Sequence, residues 1–176
     1  MIRSRDFPWM RLLPGRWVVG AATLGPVGLV KKAPGTWGSV AGLAWYALVF
    51  HYLHPTAFLL FWLLTVYLAM AFTNEAEKRL QQRDPGKIVL DEFVAIPACF
   101  LFLQPAIEAL GGWPVLLCGF LLFRLLDIWK PLIINRFQKI PGGVGVVLDD
   151  VAAALATCLI LHVGVAAWFW GLGTQV

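Results

Sequence analysis

Three charged side chains interrupt an otherwise apolar stretch in the second half of the chain. Within residues 123–131, Arg124, Asp127 and Lys130 are spaced three residues apart among leucine, isoleucine, phenylalanine and tryptophan. Positions three apart lie roughly on one face of an α-helix, so the spacing predicts one polar stripe on an apolar rod. The two cations could hold phosphate oxygens, anchor the helix at a membrane interface, or simply pair with Asp127.

Two acidic pairs elsewhere could partner this stripe. Asp91-Glu92 and Asp149-Asp150 each follow three aliphatic residues directly. Taken alone, each pair has an ordinary explanation, because the helix dipole favours acids in a first turn. Asp127 is expected toward the C-terminal end of its helix, where the dipole disfavours an anion. Five carboxylates that converged near a membrane would repel one another and lose solvation, which predicts that they share a cation.

Magnesium is the cation that this set of ligands favours. Mg²⁺ prefers a few carboxylates together with waters and phosphate oxygens. The three histidines fall toward the opposite half of the predicted helices, and the three cysteines sit inside apolar runs. Because imidazole and thiolate ligands are missing from the acidic face, the sequence argues against zinc.

The composition is that of an integral membrane protein. The chain has 176 residues, of which 60% are hydrophobic and 14% charged, and its mean hydropathy is +0.76. That length suits one domain. The net charge is +4, but the basic residues form no dense patch with stacking aromatics, so no nucleic-acid partner is expected.

Hydrophobic runs predict an all-α, integral membrane helical bundle of about five spans. Residues 1–32 are predicted to be a basic N-terminal segment that is interfacial or re-entrant, and residues 33–176 the membrane-embedded domain. Pro97 and Pro105 interrupt the third span. The predicted spans are residues 40–52, 56–72, 88–109, 115–129 and 148–170.

The distribution of charge assigns a side to these spans. All 14 lysines and arginines fall in the N-terminal segment, the loop at residues 31–39, or residues 73–87 and 124–139, which lie toward one side of the predicted spans. None lies in the opposite connections near His54, Gly111 and Gly171. This is the positive-inside pattern, so the polar connections are expected to be cytoplasmic. Nine of the ten carboxylates lie on that side too, and because the rule does not sort acids, their concentration needs a separate cause.

A glycine-rich loop precedes the first predicted span. The loop contains Gly35 and Gly38, and the side chain of Thr36 or Ser39 could cap the helix that follows. Hydroxyls, backbone amides and a helix N-terminus together also favour an anion. The loop is therefore either an ordinary cap or part of a phosphate site.

Four short motifs run through residues 33–154 in unbroken order. They are APGTxGS at 33–39, DP followed by IVLDE at 84–92, FRLLDIWKP at 123–131, and GGxG leading to DD at 142–150. In this order they resemble the phosphatidylglycerophosphatase A family. The resemblance implies an all-helical, Mg²⁺-dependent lipid phosphatase of the bacterial inner membrane, which converts phosphatidylglycerophosphate to phosphatidylglycerol.

The resemblance also implies a set of site residues. The basic and loop positions expected to bind substrate are Thr36, Ser39, Arg124 and Lys130. The family's acidic positions, expected to hold metal, correspond to Asp84, Asp91, Glu92, Asp127, Asp149 and Asp150.

The expected reaction is phosphomonoester hydrolysis at the cytoplasmic membrane face. The expected catalytic residues are Glu92, Asp91, Asp127 and Asp149, with Glu92 the first candidate for the base and Asp149 the second. A covalent aspartyl-phosphate and an oligomer stay open. Two rival classes are a small membrane carrier, which would scatter its charges through the bilayer, and a CDP-alcohol phosphotransferase, whose DGxxAR pattern is absent.

Overall fold

The chain folds into helices joined by short turns. The computed structural model describes residues 7–131, 137 and 139–173, and this part of the chain contains no strand. Short 3-10 helices cover Pro8–Leu12, Val27–Leu29, Phe50–Tyr52 and Ile96–Phe100. The α-helices are α1 (Gly15–Ala22), α2 (Pro34–Leu48), α3 (Pro55–Leu80), α4 (Leu90–Ala95), α5 (Gln104–Ala109), α6 (Trp113–Trp129) and α7 (Gly143–Gly173). The all-helical prediction is therefore confirmed.

Two of the described helices are long and apolar enough to cross a membrane, α3 and α7. With 26 residues, α3 extends about 39 Å at about 1.5 Å per residue, more than the roughly 30 Å of a hydrocarbon core. By contrast α2 and α6 have 15 and 17 residues, fewer than the about 20 of an ordinary span. Five spans are thus not confirmed, whereas the membrane character of two predicted segments is supported.

The third predicted span is not one continuous helix. Residues 88–109 instead form α4, a 3-10 turn that contains Pro97, and α5 with Pro105 in its first turn. Proline lacks the amide hydrogen and clashes with the preceding turn, so it stops a helix rather than prolonging one. The consequence is a short α4 that carries Asp91 and Glu92 near its start.

Two helices begin earlier than predicted. α2 starts at Pro34, with Ala33 as its N-cap in the left-handed region and no side-chain cap. Thr36 and Ser39 therefore lie inside the helix, and their prediction as caps was wrong. α7 starts at Gly143, so Asp149 and Asp150 lie in its second turn rather than its first, where the dipole explanation is weak.

An aromatic core holds α2, α3 and the segment after α4 together. Its largest buried rings are Tyr46, Phe50, Phe58 and Phe100. The Tyr46 and Phe100 ring centroids lie 4.6 Å apart, and those of Phe50 and Phe58 4.7 Å apart. Such ring pairs contribute about 0.5–1.5 kcal/mol each beyond their buried area. This core fixes the short helix α4 between α2, α3 and α7.

The N-terminal helix packs against the same unit. α1 contacts α3, and the carbonyl oxygen of Ala22 accepts a hydrogen bond from the Val89 amide at 3.0 Å. Gly28 lies directly against the Lys87 carbonyl, where a side chain would overlap the backbone. The division at residue 32 stays a prediction, as does the interfacial placement of this segment. Arg3, Arg5 and Arg136 are among the 14 basic residues assigned to the cytoplasmic side, and they lie outside the described residues.

Candidate active site

The polar stripe on α6 exists and its members contact one another. Arg124 Nη1 lies 2.7 Å from Asp127 Oδ2, and Lys130 Nζ lies 3.9 Å from Asp127 Oδ1. Lys130 is the C-cap of α6 in a left-handed conformation, and Pro131 follows it. The helix therefore ends where its stripe ends, which turns Lys130 away from the rod and toward α7.

Lys130 at the end of α6 and Asp149 of α7 form the shortest ion pair in the site. Lys130 Nζ donates to Asp149 Oδ2 at 2.6 Å, and the Asp149 side chain is 2% exposed. Burial lowers the pKa of Lys130, but the hydrogen bond and the charge of Asp149 outweigh burial, so the pKa is raised overall. Lys130 therefore stays cationic and joins two helices that are distant in sequence.

The acids of α4 face those of α7. One carboxylate oxygen from each of Asp91, Glu92 and Asp150 can be chosen so that all three lie within 4.8 Å of one another. Asp91 and Asp150 are 5% and 4% exposed. Two ligand oxygens of one Mg²⁺ lie up to about 4.2 Å apart. Small side-chain adjustments would let these three carboxylates share a cation.

These groups line a single cavity of about 230 Å³. It lies where the C-terminal end of α6 meets the first turn of α4 and the first two turns of α7. Its lining residues are Asp84, Gly86, Ile88, Asp91, Glu92, Asp127, Ile128, Lys130, Val146, Asp149 and Asp150. All six carboxylates predicted as metal ligands thus line one space.

The start of α2 lies against the same cavity wall. Ser39 Oγ donates to the Gly35 carbonyl at 2.9 Å and accepts from Arg124 Nη1 at 3.3 Å. A methyl group on Gly35 would overlap Glu92 Oε1. Arg124 Nη1 also lies 3.9 Å from Glu92 Oε1. Arg124 is therefore the link between α2, α4 and the α6 stripe.

Thr36 stands apart from the other predicted residues. It is half-buried in the first turn of α2, and its amide donates to the Ala33 carbonyl at 3.0 Å. Neither Thr36 nor Ser39 is among the residues that line the cavity. Ser39 reaches the site through Arg124, whereas the role of Thr36 stays a prediction.

Several cavity oxygens lack hydrogen-bond partners among the described residues, as expected of oxygens that can bind a cation. Among the described residues, Asp91 Oδ1, Glu92 Oε2 and Asp149 Oδ1 are buried without a hydrogen bond. Buried polar atoms are ordinarily satisfied, and each orphan costs about 1–3 kcal/mol. Oxygen-only donors of this kind suit a hard divalent cation such as Mg²⁺. The residues present therefore fit the metal that the sequence predicted.

Burial and neighbouring negative charges raise the pKa of both α4 acids. For Glu92 the pKa rises to about 8, first because of burial and then because of the charge of Asp150. The pKa of Asp91 is raised well above its ordinary value, again first by burial and then by the charge of Glu92. A cation bound between them would favour the ionised forms.

The structure also brings in residues that the sequence did not single out. Glu77 of α3 accepts a hydrogen bond from the Asp84 amide at 2.7 Å. Gly143 lies against the backbone of Thr73 and Asn74, so that α7 approaches α3 closely. Nothing in the sequence marks Glu77 among the other charges of residues 73–87. Gly143 belongs to a recognised motif, but its packing partner is distant in sequence.

Fold and site together define a class of protein. It is an all-helical protein with membrane-capable helices, whose buried, carboxylate-rich cavity is suited to a divalent cation and flanked by arginine and lysine. A sequence model of one family, phosphatidylglycerophosphatase A, matches residues 20–165. The chain belongs to the phosphatidylglycerophosphatase A family, which confirms both the predicted resemblance and the prediction of an enzyme of the phosphatase class.

Curated relatives agree with this assignment. A phosphatidylglycerophosphatase A from Haemophilus influenzae is 36% identical over 146 residues, which cover 82% of this chain and 85% of the relative. A phosphatidylglycerophosphatase A from Escherichia coli is 31% identical over 163 residues, which cover 91% of this chain and 90% of the relative. A Bacteroides thetaiotaomicron protein named as a candidate phosphatidylinositol-3-phosphatase is 34% identical, covering 82% of this chain and 89% of that relative. No solved structure matches the chain.

Proposed function

We propose that this protein is a Mg²⁺-dependent lipid phosphatase that hydrolyses phosphatidylglycerophosphate to phosphatidylglycerol and inorganic phosphate. The reaction would take place at the cytoplasmic face of the bacterial inner membrane, as a step in glycerophospholipid synthesis. Family membership supports the phosphatase class and the lipid substrate. The reaction breaks the bond between phosphorus and the terminal glycerol oxygen, and water supplies the new oxygen on phosphorus.

One observation carries the proposal. Carboxylates from α4, α6 and α7 line a cavity of about 230 Å³ together with Lys130. These helices are distant in sequence, and burying so many acids in one place is costly unless a cation neutralises them. A phosphomonoester has oxygens for such a cation and for the neighbouring lysine. The cavity thus has the ligands for both parts of a metal-assisted hydrolysis.

The acids that would hold the cation are Asp91, Glu92 and Asp150, with Asp84, Asp127 and Asp149 around them. When bound, Mg²⁺ supplies Lewis-acid polarisation of phosphoryl oxygens and lowers the pKa of bound water. The oxygens of Asp91 and Glu92 that lack hydrogen bonds among the described residues support this assignment. Asp127 is held by Arg124 and faces Lys130, which orients its carboxylate within the group.

Lys130 and Arg124 would bind the phosphoryl group. Lys130 lies in the cavity lining and can balance negative charge as it grows on the phosphate and on the leaving oxygen. Arg124 has a buried Nε without a hydrogen-bond partner among the described residues. Ser39 holds Nη1 of that guanidinium, so it would orient Arg124, and Thr36 would add a hydroxyl from the same turn.

Glu92 is our first candidate for the general base and Asp149 the second. Glu92 has one carboxylate oxygen beside Arg124 and the other without a hydrogen bond. A cation bound beside Glu92 would favour its ionised form, and in that form the carboxylate can accept the proton of an attacking water. Asp149 is already engaged by Lys130, which makes its carboxylate a weaker acceptor.

Exposed apolar side chains beside the cavity support a lipid substrate. Ile128 lines the cavity and is 72% exposed, and its neighbour Trp129 is 75% exposed. On the same helix Leu125 is 57% exposed. Large apolar side chains around a polar cavity suit acyl chains that stay in the bilayer while the headgroup enters.

Phosphate release from defined lipids tests the proposal. Detergent-solubilised, full-length protein should release inorganic phosphate from phosphatidylglycerophosphate when Mg²⁺ is present and lose this activity in excess EDTA. Asp91→Asn and Asp127→Asn should each lower the rate by at least about 100-fold. Unchanged rates in both variants would remove these residues from the catalytic set.

Two parallel assays separate the alternatives. Phosphatidylinositol 3-phosphate is the second substrate to compare, because one relative carries that name. A carrier would instead move ions into protein-containing liposomes without releasing phosphate from lipid. Clustering of the acids in one cavity favours the enzyme over the carrier, whose charges would follow a path across the bilayer.

A further inference from the structure

We infer that Glu77, near the C-terminal end of α3, is a positioning residue that sets Asp84 in the catalytic cavity. This inference rests on the proposed function in one respect, because it takes Asp84 as part of the cation site. Glu77 itself is not among the residues that line the catalytic cavity. Its effect would therefore pass through the turn that carries Asp84.

Glu77 holds that turn with both its backbone and its side chain. Its carbonyl oxygen accepts from the amides of Gln81 and Gln82, the latter at 3.2 Å. Its Oε1 accepts from the Asp84 amide at 2.7 Å. The residue is 8% exposed, so water competes little for these hydrogen bonds.

The turn needs support because its backbone is unfavourable. Gln81 and Asp84 have φ angles of 52° and 47°, in the left-handed region. That conformation is unfavourable for a residue with a side chain, because Cβ lies close to the following carbonyl oxygen. A hydrogen bond from the Asp84 amide to Glu77 offsets this cost. Without it the turn would relax, and the Asp84 carboxylate would leave its place in the cavity wall.

A shift at Asp84 would also reach the next part of the site. The Ile88 amide donates to the Pro85 carbonyl at 2.8 Å, which closes a second turn directly after the first. Ile88 and Asp91 line the same cavity as Asp84. Glu77 therefore governs the path by which the chain enters α4.

Cation affinity is the direct measure of this role. In detergent-solubilised, full-length protein, Glu77→Ala should weaken Mn²⁺ binding about 10- to 100-fold, as expected when a residue supporting a metal ligand is lost. The KM for Mg²⁺ should rise by a similar factor, while kcat at saturating Mg²⁺ changes less. Glu77→Gln keeps an acceptor oxygen and should restore most of the affinity.

Glu75 provides the matched control. It lies on the same helix, is 9% exposed, and pairs with Arg79 at 2.9 Å rather than with the turn. Glu75→Ala should therefore leave Mn²⁺ affinity within about twofold of the parent. In an Asp84→Asn background, Glu77→Ala should cause little additional loss, because the carboxylate that it positions is already gone. Equal losses from Glu75→Ala and Glu77→Ala, or full additivity with Asp84→Asn, would overturn the inference.

Amide hydrogen exchange tests the contact without using enzyme activity. Exchange across residues 82–88 should be faster in Glu77→Ala than in the parent or in Glu75→Ala. Unchanged exchange would overturn the inference even if the parent protein is an active phosphatase. If the parent releases no phosphate, the proposed function fails, and exchange together with Mn²⁺ binding still decides the role of Glu77.

Discussion

Lys130 is the cation that balances the acidic cavity most directly, because its Nζ contacts Asp149 at 2.6 Å and faces Asp127 at 3.9 Å. Arg124 makes the corresponding contacts on the other side of the stripe, with Asp127 and Glu92. Two cations face six carboxyl groups, so protons or a bound cation must neutralise the remainder. At the scale of single residues, the site is therefore incomplete without further positive charge.

Removing the Lys130 charge should damage both activity and stability. Lys130→Met leaves the buried Asp149 carboxylate without its cation, which we expect to cost up to about 3 kcal/mol and to lower phosphate release about 10²- to 10³-fold. Lys139→Met is the control, because Lys139 is exposed. Phosphate release and thermal unfolding measure the two effects, and a fully active Lys130→Met would contradict the assigned role.

Gly35 is predicted to support cation binding, because it leaves the space that the Glu92 carboxylate occupies. The methyl group of Gly35→Ala would overlap Glu92 Oε1 and push the carboxylate away from its neighbours. The Mg²⁺ concentration needed for half-maximal activity should then rise about tenfold. Gly20→Ala is the matched change, since a methyl group there meets no atom within 4 Å. The same Mg²⁺ requirement in both variants would contradict the prediction.

Glu92 should make cation binding depend on pH. Its pKa of about 8 means that binding below pH 8 must displace a proton. The apparent Mg²⁺ affinity should therefore rise as the pH is raised toward 8. Calorimetry in buffers of different ionisation enthalpy measures the proton release, which Glu92→Gln should reduce. Affinity that does not change with pH would contradict the assignment.

The same raised pKa predicts how stability changes without metal. The ordinary glutamate pKa is 4.5 and the folded value about 8, so the folded protein binds more protons between these values. The stability that protonated Glu92 contributes is complete below pH 4.5 and is lost as the pH rises through 8. In EDTA, the Tm of the protein should therefore fall as the pH rises from 4.5 to 8. Glu92→Gln should make this fall smaller.

At the scale of elements, α4 is the piece on which the site depends. It has only 6 residues, too few to be stable alone. Gly42 of α2 lies against the Phe93 backbone, and Gly38 lies against Val89. From the other side, Trp62 Nε1 donates to the Val94 carbonyl at 2.9 Å. Neighbouring helices therefore fix the direction in which the α4 acids point.

Loss of the tryptophan hydrogen bond should loosen α4. Trp62→Phe leaves the buried Val94 carbonyl unsatisfied, at a cost of about 1–3 kcal/mol, and should reduce phosphate release several-fold. Trp113→Phe is the control, because Trp113 is 78% exposed. Denaturant unfolding gives the free-energy change. If both variants unfold at the same denaturant concentration, the bond does not hold α4.

At the scale of the whole molecule, the polar site lies at one end of the helices. The start of α7, the end of α6 and the turn after α3 all meet there. At the other end, His51 faces Glu108 at 4.0 Å, and the Glu108 side chain is 71% exposed. A single molecule thus has a charged end with the cavity and an opposite end with few charges.

Cysteine labelling can assign these ends to membrane faces. In a Cys118→Ser background, Glu108→Cys should react with a membrane-impermeant maleimide added to intact spheroplasts. Lys139→Cys, on the cavity side of the chain, should react only after permeabilisation. Both positions are exposed, so access and not burial decides the labelling. The reverse pattern would place the cavity on the outer face.

The amino-acid sequence by itself determined the helical class, the membrane character and the residues that gather in the cavity. Apolar runs predict α3 and α7 as helices that can cross a membrane, because a backbone in lipid must satisfy its polar groups within a helix. The acids stood out because charge is costly in such runs. Both inferences need only local composition and spacing, which a sequence displays directly.

Tertiary structure alone decided which contacts these residues make. The sequence shows Pro97 and Pro105 within the third predicted span. Whether they bend that span or break it depends on how α4 packs against its neighbouring helices. Glu77 and Gly35 act through Asp84 and Glu92, and the contact between Gly35 and Glu92 joins separate helices. A sequence shows which groups cannot face lipid alone, whereas packing in three dimensions determines which partner each of them finds.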